Sequence, residues 1–289
     1  MPDRHSAAFG RAVAAVVLAL LPAAALADAE HPMQGLSSRE FGWSANNWDF
    51  LIAPPSGAGH GPIRTDPAYP YTTQIQNGGR VFDPLQVPIV DTKDPILKPW
   101  AAKQIQETNE EILSGKRKLP FMAQSRCWPG GIPGQLLFLE PVYFAQVPGA
   151  VWMIWQRDNF ARRIALTDKH SQNVKPSWFG ESIGRYEGEN TLVVDTIGIS
   201  PKSFVDSFRT PHTDKLHVVE RFTFSPGKRT LTAAVTLDDP DTFNGKLTLT
   251  QTWRKNEIEW GESICAEDGG KDVFNFNLHP IPVGQKPEF

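Results

Sequence analysis

Cysteine is nearly missing from this chain: its 289 residues hold two, Cys127 and Cys265. Neither belongs to a C-x-x-C pair or stands beside a histidine, which argues against a zinc knuckle or a dithiol redox centre. A disulfide between them is the expected use, with two buried thiols as the alternative. A strong charge of either sign is also lacking. Lys and Arg number 29 against 32 Asp and Glu, with no basic run, so nothing electrostatic invites nucleic acid. After the first 27 residues no apolar run is long enough to span a bilayer. Phosphate-loop and nucleophile-elbow signatures are missing too. Gly180, Gly184 and Gly188 do not give G-x-G-x-x-G, and Glu181-Ser182-Ile183-Gly184 lacks the first glycine of G-x-S-x-G. No cofactor is expected.

What is present begins with a secretory signal. Arg4 and Arg11 precede the apolar run 12–26, and Ala25-Leu26-Ala27 reads as a cleavage site. A periplasmic or secreted chain starting at Asp28 is expected. Residues 28–97 are rich in Pro, Gly and Asn and show little periodicity, which reads as an irregular arm. One helix is expected over about 98–115, with Pro99 at its first position and Gly115 past its end. Trp100, Ile105, Ile112 and Leu113 would form its docking stripe, with the polar residues facing solvent.

From 136 onward the pattern changes to short β-rich runs separated by turn residues. The expected strands are 136–139, 142–147, 151–156, 162–167, 177–186, 191–196, 216–224, 229–237, 246–253 and 257–264. Turns such as Glu187-Gly188-Glu189-Asn190 and Ser225-Pro226-Gly227 suit hairpins. The expected fold class is all-β: an antiparallel meander closing into a lipocalin-like β-barrel, with a β-sandwich as the alternative. The organisation is then a signal over 1–27, an arm with one surface helix over 28–135, and the barrel domain over 136–289.

Alternation along the strands assigns their faces. Leu231, Ala233, Val235 and Leu237 share the inner face, as do Leu247, Leu249, Gln251 and Trp253, and Ile258, Trp260, Glu262 and Ile264. In LHVVERFTF, Glu220 falls inward among Leu216, Val218, Phe222 and Phe224, while His217 and Arg221 fall outward. A carboxylate surrounded by apolar side chains must pair, bind something or keep its proton. Arg157, Arg163 or Arg185 could supply a buried ion pair; a ligand cavity is the other possibility.

Glu220 is therefore the first candidate acid–base group, with His217, His212 and Asp195 as complementary catalytic candidates. Asp195, at a strand end, could act as a base or orient His217. Candidate substrate-binding residues are Arg221, Gln251, Trp253, Trp260 and Glu262. His212, Asp214 and His217 carry metal-ligand chemistry, but their H-x-D-x-x-H spacing matches no helical zinc motif, so no metal is expected. Asp168 and His170 read as a solvated turn, and so does Asp238-Asp239-Pro240-Asp241.

SWFGESIGRYEGENTLVVDT (177–196), followed by LHVVERF and Asp238-Asp239-Pro240, resembles a large family of exported bacterial proteins. That family shares SIGRWEGDTLVVDT-like and LHVVERF-like runs. Tyr186 and Glu189-Asn190 depart from its usual Trp and Gly-Asp. The resemblance implies export and a shared β core, and carries no activity with it. The functional expectation is a cofactor-free acid–base enzyme of lyase, isomerase or cyclase type. It would act on a small hydrophobic or aromatic molecule in a barrel cavity. The alternative is a periplasmic, lipocalin-like binding protein without turnover.

Overall fold

The computed structural model describes residues 42–45, 60–61, 63–69, 75–76, 79–80, 89–115, 128–137, 141–206, 209–256 and 264. The signal, Cys127, Cys265, Trp260, Glu262 and all but the last residue of the expected strand 257–264 lie outside the described residues. Among those described, no helix is long and apolar enough to cross a membrane.

The molecule is mostly sheet. Gly42–Ala45 form β1; Ile75–Gln76 and Gly79–Arg80 form a small antiparallel ribbon, β2 and β3. Eight further strands follow in chain order: β4 (Val142–Val147), β5 (Ala150–Trp155), β6 (Ala161–Ala165), β7 (Glu181–Glu187), β8 (Thr191–Ile197), β9 (His217–Phe224), β10 (Thr230–Asp238) and β11 (Leu247–Asn256). Each pairs with the next, so the eight make one sheet curled into a half-barrel. The arm contributes to it, because β1 runs antiparallel to β11 and Trp43 pairs with Val142 of β4.

Some expectations need correction, among them the start of the strand expected over 177–186, which opens only at Glu181. The run 136–139 does not open as a strand. Gly134–Leu137 is a 3-10 turn, wound by Gln135 N–H to Gly131 (2.6 Å) and Leu136 N–H to Pro133 (2.8 Å), where Gly131 and Pro133 favour a turn. The sheet is also not wholly antiparallel, since β6 and β7 run parallel through Ile164–Ser182 and Ala165–Ile183. Their connection, residues 166–180, is long enough to carry the chain back to the starting end.

The inner face follows the alternation. Leu231, Ala233, Val235, Leu237, Leu247, Leu249, Gln251 and Trp253 are all buried. Phe222 packs edge-on against Phe144 at 5.9 Å and stacks on Trp253 at 6.2 Å, and these rings fill the space inside the curl.

The helix α1 spans Pro99–Leu113. Ala101 and Ile105 are buried, but Trp100 and Leu113, expected on the docking stripe, are largely exposed. The Trp100 indole N–H instead donates to the Asp241 carbonyl at 2.6 Å. Asn109, expected on the solvent face, is buried. Its amide donates to the Val90 carbonyl (2.9 Å) and accepts from the Val90 N–H (3.2 Å), which satisfies that backbone.

Candidate functional site

The inner and outer faces of β7 to β9 carry two separate polar systems. Inside, Glu220 is fully buried, as the alternation on β9 predicts. Its partner is Arg162 of β6, and not Arg157, Arg163 or Arg185. The guanidinium meets the carboxylate with two parallel bonds, Nη1 to Oε1 at 2.8 Å and Nη2 to Oε2. Arg162 Nε also donates to Ser182 Oγ (3.0 Å) and Nη2 to Thr196 Oγ1 (2.8 Å), and those two hydroxyls are 3.1 Å apart. A bidentate pair with its remaining donors satisfied is the geometry a buried ion pair needs. Both Glu220 oxygens are thereby engaged.

Outside, the same strands assemble a chain of four groups. His170, from the 166–180 connection, sits between two carboxylates, with Nδ1 3.1 Å from Glu181 Oε1 and Nε2 2.8 Å from Asp195 Oδ1. The other Asp195 oxygen meets His217 Nε2 at 2.9 Å. Ionised carboxylates only accept, so in each of these bonds the ring nitrogen is the donor. The solvated turn expected at His170 is therefore a bridging point. Glu181 also receives the Ser171 N–H and hydroxyl, each at 2.7 Å. Those two bonds, above all, hold its carboxyl below the ordinary value, against the opposing effect of burial. Burial pushes the Asp195 carboxyl up, but the bonds from His170 and His217 and their charge outweigh it and bring it below the ordinary value.

Local backbone chemistry aims this chain. Gly180 has φ 61°, and a Cβ there would lie 2.4 Å from the Ile197 carbonyl oxygen, so only glycine brings the chain this close as it enters β7 at Glu181. Glu181, Asp195 and His217 lie on the outer face of three adjacent strands, with Asp195 paired to Ile183 and to Val219. An open groove of about 630 Å³ runs past His170, Ser171 and Glu181 and is lined by Arg163, Lys169 and Lys175. Among the described residues, no three His, Cys, Asp or Glu side chains are arranged to hold a metal ion.

The other candidates are dispersed. Arg221 is half-exposed and donates to Glu187 Oε2 at 2.6 Å, beside Arg185 at 2.9 Å. Gln251 and Trp253 are buried in the interior. His212 is buried apart from Asp195, with Nδ1 2.7 Å from the Thr213 carbonyl and Nε2 2.9 Å from Ser203 Oγ. Asp239, expected in a solvated turn, is buried. It accepts from Thr213 N–H and hydroxyl (2.6 and 2.9 Å) and the Thr242 hydroxyl (2.6 Å), tying the loop before β9 to the turn after β10.

Burial pushes the His212 imidazole below its ordinary 6.5, against the Thr213 carbonyl and Asp239. The unfolded chain therefore binds a proton at His212 at a pH where the folded chain does not. The neutral ring's contribution to stability is complete above about pH 6.5 and is lost as pH falls below it, with a slope of at most about 1.4 kcal/mol per pH unit. Thermal midpoints between pH 7.5 and 5.5 should fall less steeply in His212→Gln than in the parent; equal slopes would contradict the assignment.

Compared with known proteins, the chain matches no family model, and no curated protein matches it.

Proposed function

We propose that this chain is an exported acid–base enzyme of lyase or isomerase type whose working group is His217, oriented by Asp195. The single observation that carries this reading is the Asp195–His217 pair. Asp195 takes the Nε2 proton at 2.9 Å, and among the described residues Nδ1 makes no hydrogen bond on a side chain that is 41 % exposed. An imidazole held by a carboxylate at one nitrogen and open at the other is arranged to accept a proton and to return it. Asp195 would stabilise the imidazolium so formed, and His170 and Glu181 would keep Asp195 in place. The proton leaves a C–H of the substrate for Nδ1 and returns to a second carbon or to a leaving group. Arg163, Lys169 and Lys175 suit a small substrate with an anionic group, more polar than the small hydrophobic or aromatic molecule expected from the strand pattern. Glu220, expected as the acid–base group, is better read as a structural ion pair because Arg162 engages both of its oxygens.

Closure of the sheet into a lipocalin-like barrel through Trp43 and Val142 belongs to the same proposal, as does export guided by residues 1–27. The cationic groove also favours a second reading, capture of a small anion without turnover.

Proton transfer can be tested without the natural substrate. Small carboxylates with acidic C–H bonds, both aryl and alkyl, are incubated with the protein in D2O, and deuterium incorporation is followed by NMR. The parent should catalyse exchange on at least one of them, and His217→Gln should lose about a hundredfold or more of that rate. Exchange untouched by the substitution removes His217 from the role. Groove binding with no exchange from the parent establishes the binding protein instead.

A further inference from the structure

Arg209 lies in the loop between β8 and β9, is 5 % exposed, and adopts φ 65°, a left-handed conformation rare outside glycine. Its Nε and Nη2 are buried, and among the described residues neither has an acceptor. The nearest acid in sequence does not cap them. Asp206 accepts instead from the Thr210 N–H (3.0 Å) and the Thr210 hydroxyl (2.7 Å). A second orphan donor lies on the adjoining segment. Gln135 is fully buried, its Oε1 accepts the Gly130 N–H at 2.7 Å, and its Nε2 has no acceptor.

The two segments are pressed together. A Cβ on Gly134 would lie 2.7 Å from the Phe204 carbonyl oxygen, and one on Gly131 would overlap Ser203 Cβ at 2.3 Å. Val205 N–H then bonds the Thr210 carbonyl at 3.1 Å, folding the Arg209 stretch back onto this contact.

Buried donors without acceptors are uncommon in proteins, and a buried guanidinium is the most costly of them. Both orphan groups here are donors, so what would satisfy them must accept. We propose that Arg209 and Gln135 form a binding site for a small oxyanion, a carboxylate or a tetrahedral anion such as phosphate. This site is distinct from the outer-face histidine chain. Burial pushes Arg209 down to about 10, partly offset by the charge of Asp206, so the guanidinium is still a cation at neutral pH. A bound anion would restore the compensation that burial removes.

Inorganic phosphate and acetate are titrated against the full chain at constant ionic strength, with chloride as the control, and the thermal midpoint is followed. A ligand that binds only the folded state raises the midpoint. The parent should gain several degrees from one anion beyond the chloride control. Arg209→Met, which fills the same space without a charge, should lose that gain while remaining folded. Gln135→Leu should reduce it. A gain that persists in Arg209→Met overturns the site, as does no anion-specific gain in the parent. If Arg209→Met does not fold, Arg209→Lys decides. It keeps the charge without the two-pronged geometry and should weaken the gain at least tenfold in anion concentration; an unchanged dependence overturns the proposal.

Discussion

Glu220→Gln is expected to lower stability by about 3–5 kcal/mol, because it removes one partner of a buried pair and leaves the other charged. The amide keeps the carboxylate's shape, so packing around Phe222 and Val218 changes little. What changes is the polarity of one atom. An N–H2 now faces a guanidinium N–H where an oxygen accepted before, and Arg162 keeps its charge beside Ser182 and Thr196. For a domain of this size the loss corresponds to a fall of roughly 6–20 °C in thermal midpoint. The control is the double replacement Arg162→Met with Glu220→Leu, which removes both charges and refills the space with apolar volume. It should recover most of the loss, since breaking a buried pair costs far more than replacing it whole. Circular dichroism melts of the three variants suffice. A Glu220→Gln midpoint within 2 °C of the parent, a margin well inside the roughly 6–20 °C expected, would mean the pair is not buried as described.

Asp195→Asn should reduce proton exchange by about a hundredfold to ten-thousandfold with little effect on substrate affinity. Asp195 accepts from two histidines, His170 at 2.8 Å and His217 at 2.9 Å. An amide offers one acceptor and one donor in place of two acceptors. If its oxygen serves His170, its N–H2 faces His217 Nε2, and the ring answers by moving its proton to Nδ1. The nitrogen open to substrate then carries a proton and cannot take one. Neither Asp195 nor His217 is among the residues that line the groove, so binding there should survive and the change should appear in kcat rather than KM. The pH profile separates this from a general loosening of the fold. The Asp195 carboxyl lies below its ordinary value despite the opposing effect of burial, so it stays charged throughout the range in which imidazoles titrate. A loss of activity on acidification to about pH 5 is therefore not the titration of Asp195. A variant that retains the parent rate and profile would remove Asp195 from the chemistry.

Strand character and facing were largely readable from the residues alone. Val142–Val147 was expected to the residue, and the alternation on β9, β10 and β11 placed Glu220, Gln251 and Trp253 inside. The partner of Glu220 was harder to see, although one cue existed. In Arg162-Arg163-Ile164, an inward Ile164 implies an inward Arg162, and both are buried. Which strand lies opposite another depends on long-range pairing that a linear pattern does not encode. His170 read only as part of a solvated turn. It belongs to an aperiodic connection, and only the parallel arrangement of β6 and β7 returns that connection over Asp195. The orphan donors of Arg209 and Gln135 are likewise products of two loops meeting, not of either one.

The parallel seam between β6 and β7 is the thinnest in the eight-stranded sheet, two paired positions against eight between β10 and β11. Arg162 sits at this seam and reaches across it. It stands on β6, bonds Ser182 on β7 and Thr196 on β8, and ends on Glu220 of β9. One side chain thus rivets four strands where the ladder alone would unzip first. A sheet with such a rivet fails differently from an ordinary hairpin stack. It resists peeling at the junction until the rivet gives way, and then four strands lose their common anchor together. Cooperative unfolding in this half of the molecule then follows from one guanidinium more than from the backbone ladder it crosses.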